Sequence, residues 1–136
     1  MKIIYERPPN YQDIIAIFPT AKKAGVLFTY GDVIYSPTKQ LIPKSLIAHE
    51  EVHSARQLKW SSIELWWNSY LTNKAFRYEE ELLAHQAEYQ AIIGNRKFRK
   101  YQYKQIAKRL SSPLYGSMVS YDKALHSISA NVTTPS

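Results

Sequence analysis

The sequence predicts an α+β protein, a small N-terminal antiparallel β-sheet followed by a mainly helical region. Three observations carry this. Short runs rich in β-branched and aromatic residues, punctuated by Gly and Pro, fill the first forty residues. From residue 43 onward the apolar positions recur at helical spacing. The two kinds of segment are segregated along the chain, as in α+β folds, and do not alternate as in α/β folds.

Each element has its own signal. Ile14-Ile15-Ala16-Ile17-Phe18 is a short apolar run closed by Pro19 and reads as a strand. Val26-Leu27-Phe28-Thr29-Tyr30 and Val33-Ile34-Tyr35 read as two more, joined by Gly31-Asp32 in a hairpin. Pro37 ends the second of these, having no N–H for a ladder. Pro43 and Ser45 open a helix that runs to about residue 58. Ser61 and Glu64 have capping-box spacing and start a second helix to about residue 71. A third spans about 75–93 and stops at Gly94, a natural helix terminator. A basic helix over about 97–110 follows, ended by Ser111-Ser112-Pro113. Ser120 and Asp122 begin a last short helix toward residue 128, and residues 131–136 form a polar, frayed tail. The whole, residues 1–136, has the length of one domain.

Composition removes several function classes. There is no cysteine, so disulfides, thiolate metal sites and cysteine nucleophiles are excluded, and any metal must be held by His, Asp and Glu. No apolar stretch approaches the ~20 residues that span a membrane. The N-terminus is too short and too soon charged for a signal peptide, so a cytoplasmic location is the expectation. The net charge of +7 is local: no Asp or Glu lies between Glu88 and Asp122. That gap holds Arg96, Lys97, Arg99, Lys100, Lys104, Lys108 and Arg109. Phe98, Tyr101 and Tyr103 are interleaved, a pattern that can serve single-stranded nucleic acid or simply a solvated helix face. No recognised nucleic-acid motif accompanies it.

The chemistry centres on His49-Glu50-Glu51-Val52-His53. Four residues apart on a helix, His49 and His53 share a face one turn apart and can bind one zinc ion. Glu50 is rotated about 100° from the first ligand, so it reaches a zinc-bound water rather than the metal. Zinc lowers the pKa of that water toward ~7, and a nearby carboxylate takes its proton. Catalytic zinc sites commonly use three protein ligands and keep one position open. The third ligand is sought in Tyr78-Glu79-Glu80-Glu81-Leu82-Leu83-Ala84-His85. Glu81 and His85 share a helix face. Either Glu81 ligates with His85 standing behind it, or His85 is itself the third ligand.

The chain resembles the small metallopeptidases encoded by tailed bacteriophages, within the gluzincin-like branch of HExxH peptidases, whose third ligand is Glu. The stretches that carry the likeness are residues 28–37, 46–53 and 76–84, with Trp66-Trp67, Tyr70-Leu71 and residues 110–116 also similar. Together they span roughly residues 25–128. In that branch the ligand Glu is commonly followed by two variable residues, Ala, then Asp or another polar residue. Glu81-Leu82-Leu83-Ala84-His85 fits the frame, and neither Glu79 nor Glu80 does. His85 departs from the acidic residue and puts its supporting role in question. The resemblance implies a zincin-like fold and a zinc-dependent hydrolase acting on peptides or proteins in a bacterial host. It implies His49, His53 and Glu81 as ligands and Glu50 as general base. It also implies that the strand around residues 33–35 edges the cleft, where an extended peptide can add as a further strand. Peptide hydrolysis needs a donor for the developing oxyanion. Tyr115 is the first candidate and His126 the second. Trp60, Trp66 and Trp67 read as core residues.

Overall fold

The computed structural model describes residues 1–92 and 96–129, and its fold is α+β and mostly helical, with a three-stranded N-terminal sheet and six helices. Strands β2 (Phe28–Tyr30) and β3 (Val33–Tyr35) form the expected hairpin, with Tyr30 opposite Val33. Gly31 takes φ +65 in the connection, which its missing Cβ allows. The sheet is mixed, however, not antiparallel. Strand β1 (Lys2–Ile4) pairs parallel with β3, Lys2 facing Val33, and the strand order is β1-β3-β2. A parallel pairing between residues thirty apart has no local turn to announce it.

The run Ile14-Phe18 is helical, not a strand. Helix α1 covers Tyr11–Ile17, and the Phe18 N–H donates to the Ile14 carbonyl at 2.8 Å before Pro19 stops it. Tyr11, Ile14 and Phe18 are buried together at spacings of three and four, the helical period. A 3-10 turn over Pro19–Lys22 leads toward the hairpin.

Helix α2 (Lys44–Gln57) carries the HExxH segment and starts after Pro43. Helix α3 (Ile63–Thr72) is capped by Ser62, not Ser61: the Ser62 hydroxyl accepts from the Leu65 N–H at 3.1 Å. Helix α4 (Lys74–Ile92) follows at once, and its expected terminator Gly94 lies outside the described residues. Helix α5 (Arg96–Leu110) is the basic helix, and α6 (Tyr121–Ser129) starts where the Ser120 hydroxyl accepts from the Lys123 N–H. Residues 131–136, expected to fray, also lie outside the described residues. No described helix is long and apolar enough to cross a membrane.

Two apolar clusters hold these elements. One joins α1 and β2 to α3, through Ile14, Phe18, Phe28, Trp66, Trp67 and Tyr70. The other joins α4, α5 and α6, through Tyr89, Ile106, Ala107, Leu110, Ala124 and Ile128. Trp60 belongs to neither: it is 38% exposed and lies edge-on to Phe76 at 5.3 Å, outside the core expected for it. Between the clusters, α2 and α4 meet along a seam of another kind. The buried residues of α2 are His49, Glu50, His53, Ser54 and Gln57, none of them apolar. Those of α4 include Arg77, Glu80, Glu81, His85 and Glu88. Burying such groups costs free energy unless each finds a partner, so the partners define the site.

Candidate metal centre

Two structural bonds set the frame. Gln57, fully buried on α2, uses both ends of its amide on the hairpin: Nε2 donates to the Thr29 carbonyl at 2.9 Å, and Oε1 accepts from the Gly31 N–H at 2.7 Å. The sheet is thereby fastened to the motif helix. On the other side, Glu80 is fully buried and accepts from Trp66 Nε1 at 2.6 Å and from Arg56 Nε. This fastens α4 to both α2 and α3, and it assigns Glu80 a structural place away from the imidazoles.

Within this frame His49, Glu50, His53, Glu81 and His85 come together, all at most 5% exposed. The two imidazoles lie edge-to-face, with ring centroids 5.0 Å apart. Their Nε2 atoms face one carboxylate: His49 Nε2 is 3.4 Å from Glu81 Oε1, and His53 Nε2 is 3.0 Å from Glu81 Oε2. Glu50 Oε2 lies 3.6 Å from His49 Nε2. Tyr70, on α3, donates its hydroxyl to Glu81 Oε2 at 2.6 Å. His85 sits behind Glu81, with Nδ1 2.6 Å from the Glu81 carbonyl and Nε2 3.5 Å from Arg109 Nε.

Reading the motifs alone missed two residues. Glu88, one turn beyond His85 on α4, has Oε1 2.9 Å from His49 Nδ1. Arg109, counted with the basic run, turns inward from α5 and pairs with the same Glu88 oxygen. The signal for Glu88 was available: Glu81, His85 and Glu88 follow the i, i+4, i+7 spacing of one helix face.

The electrostatics follow from burial and from crowding of like charges. Burial works against a charged His49, but the Glu81 and Glu88 carboxylates outweigh it and raise its pKa to about 10. Burial pushes the Glu50 carboxyl above its ordinary range, against the pull of His49 and His53. Burial acts the same way on Glu81, yet the two histidines hold it well below that range. Glu88 is lowered to about 2, its own burial overcome by His49 and Arg109. His85 is driven down to about 3 by burial, with His49 and Arg109 adding to it, so it is neutral at any physiological pH.

The cluster can hold a metal ion, and three features fit one. Among the described residues, His49-Glu50-His53 and His49-Glu81-His85 each bring three donor atoms within 4.8 Å of one another. Buried Glu50 Oε2 and Glu81 Oε1 make no hydrogen bond. The carboxylates of Glu50, Glu81 and Glu88 crowd about His49, and Arg109 pairs with Glu88, a concentration of acidic groups that suits a divalent cation.

A cavity of about 410 Å³ opens onto these groups. One wall is apolar, with Ile14, Phe18, Val26, Phe28 and Leu114, while His49, Glu50, His53 and Glu81 are among its polar lining. Residues 23–29 line it, so the strand beside the cavity is β2 and its approach. Strand β3, expected at the cleft edge, is central, with β1 on one side and β2 on the other, and has no free edge for an added peptide. Tyr115 lines the cavity, its ring edge-on to His85 at 5.3 Å. Its phenol is raised well above 10, by burial first and Glu81 next, and so stays protonated. His126 is exposed on α6 and does not line the cavity. The interleaved aromatics of the basic helix are divided. Tyr103 bonds the Leu125 carbonyl and packs on Tyr89, Tyr101 is 63% exposed, and the Phe98 side chain is outside the described set. Comparison with family models, with curated proteins and with solved structures returns no match to this chain.

Proposed function

We propose that this chain is a zinc-dependent hydrolase, a small metallopeptidase, with His49, His53 and Glu81 as the metal ligands and Glu50 as the general base. The observation that carries the reading is the convergence of two imidazole Nε2 atoms on the two oxygens of one buried carboxylate, with a Glu50 oxygen that makes no hydrogen bond beside them. Purely structural zinc sites use four protein ligands. Three protein donors here leave a position for substrate chemistry. His85 serves as a support: its Nδ1 is committed to the Glu81 carbonyl, and its Nε2 faces an arginine donor.

When bound, zinc supplies a Lewis acid for a peptide carbonyl and lowers the pKa of a coordinated water toward ~7. The chain's own groups do the rest. Glu50, with its pKa raised by burial, is suited to take a proton from the attacking water and pass it to the leaving amine. Tyr70 fixes the Glu81 carboxylate through its hydroxyl. Tyr115, which lines the cavity and stays protonated, is the donor this reading assigns to the developing oxyanion. The apolar wall gives a peptide side chain somewhere to sit away from water.

The test is metal content and cleavage together. Purified protein is expected to bind one zinc per chain and to cut peptides in a library, and His49→Ala to lose both properties. A protein that binds no zinc, with His49→Ala indistinguishable from it, contradicts the reading.

A further inference from the structure

His49 Nδ1 lies 2.9 Å from Glu88 Oε1. Glu88 is in turn engaged by Arg109 Nη2, which reaches it from a different helix, α5. His53 has no counterpart among the described residues, where its buried Nδ1 makes no hydrogen bond. The support is thus one-sided.

We infer that Arg109 is a positioning residue for the metal centre, acting through Glu88 to fix the tautomer and ring orientation of His49, and that the basic helix α5 is therefore part of the site. The inference rests on the metal reading of His49. An imidazole whose Nδ1–H is held by a carboxylate presents Nε2 as a fixed lone pair and is the more basic for it. The carboxylate is itself held in place by the guanidinium, which shares its Oε1 with the imidazole. Arg109 does a second job in the same place. Its Nε faces His85 Nε2, leaving His85 Nδ1 as the N–H that bonds the Glu81 carbonyl. One side chain thus backs both a histidine and the turn of α4 that carries Glu81. A planar fork with fixed donor directions suits this, and a lysine does not replace it.

The helix also separates this function from its basic surface. At about 100° per residue, Lys100, Lys104 and Lys108 fall on one flank of α5 and Arg109 on the other, with buried Ile106, Ala107 and Leu110 between. The three lysines are exposed.

The experiment measures zinc affinity by competition with a chromogenic chelator, and cobalt-substituted visible spectra, for wild type, E88Q, R109Q, R109K and K104Q. Wild-type binding tests the metal reading by itself; without it, that reading and this inference both fail. Given wild-type binding, E88Q and R109Q are expected to weaken zinc by about 10- to 100-fold and to alter the cobalt spectrum. R109K should recover only part of the loss, and K104Q should match wild type. Wild-type affinity and spectrum in R109Q and E88Q, even with a lowered melting temperature, would assign Arg109 a packing role and overturn the inference. If R109Q fails to fold, the near-isosteric E88Q decides by the same two readouts.

Discussion

The seam between α2 and α4 and the apolar cluster among α4, α5 and α6 adjoin each other, and α4 and α5 serve both. In the cluster, Leu110, Ile106 and Ile128 are at most 2% exposed and present nothing but hydrocarbon. In the seam, Glu80, His85 and Gln57 are just as deeply buried, and each ends in polar atoms that need partners. Hydrocarbon burial is favourable without regard to direction, at roughly 25 cal/mol per Å². Polar burial contributes little unless every donor and acceptor is met at short range. A fold seeking stability alone would extend the cluster through the seam. The seam keeps ionisable groups instead, and leaves Glu50 Oε2 and Glu81 Oε1 without hydrogen bonds, which the proposed metal site accounts for.

Substitutions on the two sides should therefore fail differently. The largest contrast is expected at Glu50. E50Q should keep zinc and fold while losing turnover by about 10²- to 10⁴-fold, the usual share of a general base; peptide cleavage measured alongside metal content checks this. In the cluster, Leu110→Ala should lose about 2–5 kcal/mol by creating a cavity and leave zinc stoichiometry at one, as read by denaturant unfolding and metal analysis. A Leu110→Ala chain that is stable but metal-free would erase the distinction. Gln57→Ala lies between. It strands the Gly31 N–H, while Thr29 O keeps Trp67 Nε1 as a donor, and should cost about 1–3 kcal/mol. It should also reduce turnover more than zinc affinity, because the hairpin borders the cavity and does not carry ligands. The smallest effect belongs to the exposed flank of α5, where Lys104→Glu should stay within about 0.5 kcal/mol.

The sequence was informative where function and local geometry share a spacing. His49 and His53 at i, i+4 required a helix, and Glu81 with His85 required another, and both pairs meet. Gly31-Asp32 announced its hairpin because a two-residue connection has strict needs. Errors arose where the cue was short or distant. Ile14-Phe18 is too brief for apolar content to separate strand from helix. Asn10 and Asp13 at the start, and Tyr11, Ile14 and Phe18 on one face, were the better guide. Strand β1 is recruited by β3 from thirty residues away, which also makes β3 central and transfers the cavity edge to β2. Arg109 could not be distinguished from six other cations in the sequence, because its pairing with Glu88 arises only when α5 packs against α4.

The central claim is that the seam is a zinc site held by His49, His53 and Glu81. X-ray absorption at the zinc edge, on protein loaded to one equivalent and on His53→Ala and Glu81→Gln beside it, tests this most directly. The account predicts a first shell of two imidazole nitrogens and carboxylate oxygen at about 2.0–2.2 Å, with an imidazole lost in His53→Ala and the carboxylate perturbed in Glu81→Gln. A wild-type protein that takes up no stoichiometric zinc, or a shell that neither substitution changes, would contradict it.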